Sequence, residues 1–200
     1  MKEKLKSFVE QFGMLTPEEV ELVVDGTRIK SFKKGTILLE EGQVSKHCYM
    51  VLEGLVREYY LVEGEEKSTA FYTQGDPVNS FSSYNNQTPS KHYWVCAEDC
   101  VLTVGDQDLE RAMCEIIPRL EAIIRQEVEK LSGKGQDEFA QFITSSPEQR
   151  YLHLQETRPE LLQRVPQHQI ASFIGVTPES LSRIRKRLAK TEGTKVTSLK

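Results

Sequence analysis

The chain has 200 residues, with 26 Lys and Arg against 30 Asp and Glu, which gives a formal net charge of −4. A hydrophobic fraction of 38% is enough for a globular core, and no apolar run approaches the roughly 20 residues that span a bilayer. The charged, amphipathic start lacks the layout of a signal peptide, so we expect a cytoplasmic protein with no membrane partner.

The charge is unevenly divided along the chain. Residues 1–144 contain 16 basic and 25 acidic residues, whereas residues 145–200 contain ten basic and five acidic ones. An acidic front part and a basic tail indicate two domains with different partners. We therefore predict a domain over 1–144 and a second domain over 145–200.

The front part begins with two predicted helices, residues 3–12 and 16–24, and then changes character. Between Arg28 and Gly105, short runs rich in Val, Ile, Phe, Tyr and Thr alternate with turns marked by glycine. Short strands at regular spacing predict a small all-β barrel or jelly roll. The candidate strands are residues 28–33, 36–40, 47–53, 55–61, 67–73, 93–97 and 100–104.

A long helix is predicted over about 106–142, with Gly133 and Gly135 interrupting its end. Its apolar stripe could pack on the preceding barrel or pair with a second copy of the helix, and we predict a dimer. Ser146-Pro147-Glu148 begins the next helix, which puts the domain boundary near residue 144. The predicted dimerisation residues are Ile117, Leu120, Ile124 and Leu131.

Residues 167–187 have the pattern of two short helices joined by a tight turn. Ala171 is small enough for a helix crossing, and Gly175 can adopt the positive φ that the turn needs. Thr177 can cap the second helix and Pro178 suits its first position. This layout is typical of a DNA-binding helix-turn-helix, although a helical hairpin that only packs is the alternative. The apolar residues expected to join the helices are Ile170, Ile174, Leu181 and Ile184.

The order of barrel, long helix and helix-turn-helix resembles the CRP/FNR family of bacterial transcription regulators. The resemblance implies an α+β fold: an N-terminal β jelly-roll/barrel of the cyclic-nucleotide-binding type, a dimerisation helix and a C-terminal winged helix-turn-helix. It also implies a homodimer that binds double-stranded DNA, with RNA polymerase as a further candidate partner. The motifs that carry it are Phe32-x-x-Gly35, Glu41-Gly42, residues 49–57, Gly64-Glu65-Glu66, Gly75-Asp76, residues 97–100, Ser146-Pro147-x-x-Arg150-Tyr151, Val165-Pro166-Gln167 and residues 167–187.

The family's cyclic-AMP site is altered in this chain. In members that bind cyclic AMP, a Gly-Glu pair grips the ribose and an Arg-Ser or Arg-Thr pair grips the cyclic phosphate. The matching positions here are Asn79-Ser80 and Lys91-His92, so the ribose carboxylate and the bidentate cation are both missing. We expect no cyclic-AMP binding, and either another small effector or none. The candidate effector pocket consists of Asn79, Ser80, Phe81, Lys91 and His92.

The resemblance assigns base contacts to Glu179, Ser180 and Arg183, of which Arg183 can grip guanine in bidentate fashion. Pro178 stands where the family commonly has an arginine, so we expect a different half-site. Thr177 is included in the interface as the cap of the second helix. The predicted phosphate contacts are Gln167, Gln169, Ser182 and Lys186.

Catalysis, metal binding and cofactors are not expected. The four cysteines lack CxxC spacing, the histidines lack metal-ligand spacing, and there is no nucleophile–base arrangement. Cys96 and Cys100 bracket a strand turn where a disulfide is feasible, with ordinary half-buried thiols as the alternative. The alternative function is a small-ligand sensor module whose C-terminal domain contacts protein rather than DNA.

Overall fold

The structure is a computed structural model that describes the backbone of residues 1–197 and the side chains of residues 1–190. Residues 198–200 of the predicted C-terminal domain therefore lie outside the described residues. The chain forms two compact units. The first contains Met1–Leu61 and Thr69–Lys134, and the second contains Val62–Ser68 and the residues from Gly135 onward.

The elements up to the long helix alternate between short helices and strands. They are α1 Lys2–Glu10, α2 Pro17–Gly26, β1 Arg28–Phe32, β2 Ile37–Leu39, β3 Cys48–Glu53, β4 Val56–Val62, β5 Glu65–Tyr72, β6 Pro77–Val78, α3 Phe81–Asn86, β7 Tyr93–Cys96, β8 Cys100–Gly105 and α4 Gln107–Ile116. The remaining helices are α5 Arg119–Thr144, α6 Pro147–Thr157, α7 Leu161–Arg164, α8 Gln167–Phe173 and α9 Pro178–Thr197. Strand β6 and helix α3 have no counterpart among the predicted elements.

The strands form two four-stranded sheets, ordered β1-β8-β3-β6 and β2-β7-β4-β5. Strand β8 pairs antiparallel with β1 and with β3, and β7 pairs antiparallel with β2 and with β4. Two facing sheets with crossing connections are the arrangement of a jelly roll, which confirms that prediction. Within the described residues the strands do not close into a single barrel.

Strand β3 is buried on both faces, because its alternate side chains enter two different cores. Tyr49 and Val51 belong to the core between the sheets, together with Trp94 of β7 and Leu102 of β8. Leu52 belongs to the second core, which helices α1 and α2 supply. The helical residues of this second core are Leu5, Val9, Val20 and Val24.

The predicted continuous helix over 106–142 is wrong at Ile117-Pro118, where α4 ends before α5 begins. Proline cannot donate a backbone hydrogen bond and disfavours the helical conformation in the residue before it, and Ile117 accordingly has φ −124 and ψ 82. Ile117 is only 1% exposed, so it packs inside its own unit and does not belong to an exposed stripe. Gly133 and Gly135, in contrast, do not interrupt α5, which continues to Thr144.

The second unit contains helices α6 to α9. Helix α6 begins with a capping box, in which the Ser146 hydroxyl accepts from the Gln149 backbone and the Gln149 side chain accepts from the Ser146 backbone. Between residues 135 and 197 the structure has helices and connecting turns but no strand, so the predicted wing is not confirmed. No helix in the described part of the chain has both the length and the apolar character needed to cross a bilayer.

Tyr49 makes the stability of the first unit depend on pH in the alkaline range. Burial raises the pKa of its phenol to about 12, whereas an unfolded tyrosine titrates near 10. The folded state therefore retains a proton that the unfolded state loses between about pH 10 and 12, and stability falls as the pH rises through this window. We expect Tyr49→Phe to remove up to about 3 kcal/mol of that loss.

Urea unfolding of the wild type and of Tyr49→Phe at pH 9 and at pH 11.5 tests this expectation. The same pair measured at pH 5 and pH 7 is the control, because the phenol is protonated in both states there and the difference between the two proteins should be constant. An equal loss of unfolding free energy in both proteins at pH 11.5 would contradict the assignment to Tyr49.

Candidate nucleic-acid interface and effector pocket

Helices α8 and α9 are joined by a tight turn around Gly175. Gly175 has φ +73, and its N–H donates to the Ser172 carbonyl at 3.0 Å. The next N–H, of Val176, donates to the carbonyl of Ala171 at 2.9 Å, and Ala171 is fully buried. The positive φ and the small buried residue are the two features that the sequence pattern predicts for this turn.

The four apolar residues predicted to join the helices, Ile170, Ile174, Leu181 and Ile184, are all buried. They lie in α8, at its end and in α9, and further buried residues come from α6 and α7. Because this core fixes one face of α9, its opposite face is left exposed. The buried residues from α6, α7 and the segment after α7 are Tyr151, Leu154, Leu161 and Val165.

Helix α9 begins with the predicted cap. The Thr177 hydroxyl accepts from the Ser180 backbone N–H at 3.3 Å and donates to the Ser180 hydroxyl at 3.2 Å. Both hydroxyls thus help to form the start of the helix. The backbone N–H of Glu179 and the Thr177 side chain lower the pKa of the Glu179 carboxyl.

The exposed face of α9 carries Glu179, Arg183 and Lys186 at spacings of four and three residues, which places them on one stripe. Within the described residues, neither Arg183 nor Lys186 forms an ion pair, although Glu179 interacts electrostatically with Arg183. Arg187 differs, because it pairs with Glu148 of α6 and so ties two helices of the unit together. Arg187 therefore has a structural role.

Three of the predicted phosphate contacts lie together in the structure. Gln167, Ser182 and Lys186 line one cavity of about 530 Å³, which Arg185 also lines. The cavity combines the start of α8 with the middle of α9 and contains two cations. Gln169 does not join them in the same way, because its side-chain carbonyl oxygen is buried and has no hydrogen-bond partner among the described residues.

Arg150 has a structural role that the sequence analysis did not assign. Its guanidinium lies 4.2 Å from the centre of the Phe142 ring, and its Nη1 donates to the Phe142 carbonyl at 2.9 Å. A Cβ added to Gly175 would lie 3.0 Å from the Phe142 ring. The end of α5 is thereby packed against the turn between α8 and α9, and Arg150 satisfies one of the free carbonyls at that helix end.

One of the predicted effector residues, His92, lies beside the carboxylate of Glu58. His92 is buried, and its Nε2 lies 3.7 Å from Oε2 of Glu58. Glu58 also accepts hydrogen bonds from Thr69 at 2.8 Å, from Tyr72 at 3.0 Å and from the Trp94 indole at 3.0 Å. Glu58 and Trp94 are register partners of β4 and β7 and therefore share a face of the sheet.

The other members of the predicted effector pocket differ in exposure. Lys91 and Phe81 are exposed, and Ser80 is buried. The side-chain oxygens of Asn79 and Ser80 and the Nε2 of His92 are buried, with no hydrogen-bond partner in the part of the chain that the structure describes. The interior of this region is therefore polar, but the exposed ammonium of Lys91 is not part of that interior.

The negative charge of Glu58 makes this region unfavourable for a nucleotide phosphate. His92 stands at one of the two positions that grip the phosphate in the cyclic-AMP-binding members of the resembling family. Here a carboxylate with three neutral donors lies beside it. An anionic phosphate placed there would be repelled by this half-buried carboxylate, since charges interact more strongly away from bulk water. Burial and the neighbouring Glu58 raise the pKa of Tyr72, which keeps that donor protonated.

Cys96 and Cys100 are fully buried free thiols rather than half-buried ones. The interaction between the two thiols and burial raise the pKa of Cys96, whereas the same interaction lowers the pKa of Cys100. The Cys100 thiol also lies 3.3 Å from the Glu98 carbonyl and 3.4 Å from the Leu55 carbonyl. Among the described residues, no group of three or more His, Cys, Asp or Glu side chains could hold a metal ion.

Comparison with known proteins bears on the first unit most directly. Residues 29–115 match the family model of the cyclic nucleotide-binding domain. This segment contains both sheets, the residues of the predicted effector pocket and the Glu58 cluster. No curated protein matches the chain.

Solved structures of bacterial regulators have a similar fold over most of the chain. The catabolite activator protein of Thermus thermophilus is 20% identical, with 90% of this chain and 87% of that chain covered and a TM-score of 0.56. The c-di-GMP-responsive global regulator CLP of Xanthomonas campestris is 16% identical, with 88% and 93% covered and a TM-score of 0.68. FixK2 of Bradyrhizobium japonicum is 18% identical, with 83% and 86% covered and a TM-score of 0.66. At sequence identities of 16–20%, the similarity to these structures concerns the fold alone.

Proposed function

We propose that the chain is a cytoplasmic, homodimeric transcription regulator of the CRP/FNR type that binds double-stranded DNA and does not respond to cyclic AMP. The observation that carries the proposal is the turn at Gly175, which joins α8 to a helix whose exposed stripe carries Arg183 and Lys186, two cations without an ion pair among the described residues. RNA polymerase is a further candidate partner.

We assign the base contacts and the phosphate contacts of α9 to different residues. Glu179 and Arg183 project from the first turns of α9, which is the part of a recognition helix that reaches base edges in the major groove. Glu179 can accept from a cytosine amino group and Arg183 can donate to guanine. Gln167, Ser182 and Lys186 line one cavity and can hold the phosphate backbone beside that groove.

The proposed base contact of Arg183 is tested with duplexes selected from a random pool. In anisotropy titrations, Arg183→Ala should weaken binding to the selected duplex by about 1–3 kcal/mol and relax the preference at one base pair. Lys186→Ala is the matched control, because it should weaken binding to all duplexes alike and reduce the salt slope by about one.

Two outcomes would count against this interpretation. Unchanged affinity and unchanged base preference in Arg183→Ala would remove its assignment. Wild-type protein that shows no salt-dependent binding to any duplex would favour the alternative function, a small-ligand sensor module whose C-terminal domain contacts protein.

The proposed dimer interface lies on α5, where half-buried apolar residues follow a helical stripe. Leu120, Ile124 and Leu131 lie on this stripe. Val128, which is 37% exposed, also lies on it, whereas the predicted member Ile117 is buried and does not. Spacings of four, four and three residues put these side chains on one face. Two copies packed through this face would present their α9 helices to a pseudo-palindromic site.

Light scattering tests the dimer. The wild type should have about twice the 22.9 kDa mass of the chain at micromolar concentration. Leu131→Glu should shift the mass toward the monomer, since it buries a charge in the proposed interface. Gln126→Glu is the control, because Gln126 is exposed and lies nearly half a turn away from the stripe. A monomeric wild type, or equal masses for both variants, would contradict the proposed face.

The lack of a cyclic-AMP response is tested by calorimetric titration. The wild type should show no saturable binding at nucleotide concentrations of about 1 mM, which corresponds to a binding free energy weaker than about 4 kcal/mol. Glu58→Gln is informative, because it removes the internal charge and keeps the shape. Binding that appears only in this variant would identify the charge as the barrier, and saturable binding by the wild type would contradict the proposal.

A further inference from the structure

The first unit contains a cavity of about 390 Å³ beside the loop between β2 and β3. Its apolar wall includes Leu38, Leu39 and Val44, and its polar wall includes Lys46, His47 and Tyr49. None of the residues of the predicted effector pocket lines it, so the two regions are distinct. The volume is near the lower end of that of small-molecule sites, which are mostly apolar cavities with a few placed polar groups.

The loop that encloses this cavity is fixed by hydrogen bonds to a neighbouring segment. Gly42 donates to the Ser90 carbonyl at 2.8 Å, and Ser90 donates back to the Gln43 carbonyl at 2.7 Å. The backbone N–H of Ser45 donates to the Ser83 hydroxyl at 2.8 Å. A cavity wall that is tied down in this way is formed before any ligand arrives, which lowers the entropy cost of binding.

Tyr49 gives the cavity an unused hydrogen-bond donor. The residue is only 8% exposed, and its ring packs edge-on against Phe32, His47 and Trp94. Its hydroxyl nevertheless makes no hydrogen bond to any described residue. It differs from the Tyr84 hydroxyl, which is a fully buried atom without a partner, and is therefore accessible from the cavity and available to a ligand.

Two further polar groups face the same cavity. The Nδ1 atom of His47 is buried and has no hydrogen-bond partner among the described residues. Lys46 is exposed and forms no ion pair with any described residue. Asp106 interacts electrostatically with His47, but this carboxylate is already paired with Arg28 and with the backbone of Leu109. The cavity thus has a cation at its rim and a neutral donor in its interior.

We propose that this cavity binds a small organic monocarboxylate with an apolar body. The Tyr49 hydroxyl donates to the carboxylate, the Lys46 ammonium pairs with it, and the body packs against Leu38, Leu39 and Val44. A single cation and a single phenol suit one negative charge, whereas a phosphate would need several charged or backbone donors. The proposal does not depend on DNA binding, since every group that it uses lies in the first unit.

Fluorine NMR with para-trifluoromethylbenzoate as the probe tests this site, with the uncharged para-trifluoromethylbenzamide as the matched ligand control. The benzoate should bind the full-length wild type saturably, with one molecule per chain, and more tightly than the benzamide. Tyr49→Phe should weaken benzoate binding about tenfold, because a hydrogen bond to a charged group is lost. Lys46→Gln should weaken it a few-fold, because the ammonium is exposed.

Lys91→Gln is the matched protein control, because Lys91 is an exposed lysine of the predicted effector pocket, and its affinity for benzoate should equal that of the wild type. Tyr49→Phe should melt at or slightly above the wild-type temperature at neutral pH, since its hydroxyl has no partner to lose. No binding by the wild type would overturn the proposal. So would affinities that are unchanged in both Tyr49→Phe and Lys46→Gln, or a loss of binding in Lys91→Gln.

Discussion

Strand β3 constrains the first unit because it has no solvent-exposed face along its centre. Tyr49 and Val51 point into the core between the sheets, and Leu52 points into the core under α1 and α2. The turn that ends the strand is equally confined. Gly54 has φ +93, and a Cβ there would lie 2.5 Å from the Asp99 carbonyl and 2.7 Å from the Cys100 sulfur. A strand enclosed in this way has one permitted register, since a shift by one residue would exchange the two sets of side chains.

That fixed register also determines the polar chemistry of the interior. Tyr49 must face inward with its neighbours on the same face of the strand, so its ring lies in the core between the sheets. Glu58 faces inward because it is opposite Trp94 on β7. The two residues illustrate opposite solutions to the cost of burying a polar group. Glu58 is surrounded by donors from Thr69, Tyr72 and Trp94, whereas Tyr49 opens onto a cavity.

Sequence reasoning was sufficient where the determinants are local. Alternating apolar residues and glycine turns located the strands of the jelly roll, and the Gly175 turn and the Thr177 cap followed from backbone chemistry that is readable in a few consecutive residues. The break at Pro118 is also encoded locally, because proline disfavours the helical conformation in the residue before it, although the apolar periodicity continues across it. Gly133 and Gly135 are tolerated because a low helix propensity costs only about 1 kcal/mol per residue.

Sequence reasoning failed where partners come from distant parts of the chain. The donors to Glu58 lie 11, 14 and 36 residues away, and no local pattern marks them. The pairing of Arg187 with Glu148 likewise joins residues 39 positions apart. The cavity beside Tyr49 depends on the loop before β3 packing against Ser83 and Ser90. Such arrangements follow from the tertiary fold and can be recognised only after it is known.

In the first unit, the polar interior and the favourable place for an anion are therefore two different regions. In a nucleotide-binding domain of this fold they are the same region. The interior next to His92 is polar, but it contains the Glu58 carboxylate, which already accepts from Thr69, Tyr72 and Trp94. The cavity beside the β2–β3 loop has the opposite character, with a free phenol inside and an unpaired ammonium, among the described residues, at its rim. Since an anion is stabilised by unengaged donors and cations rather than by polarity as such, the second location is the more favourable one for a charged effector. The fold can thus keep its sheets and turns while the position and chemistry of its ligand change.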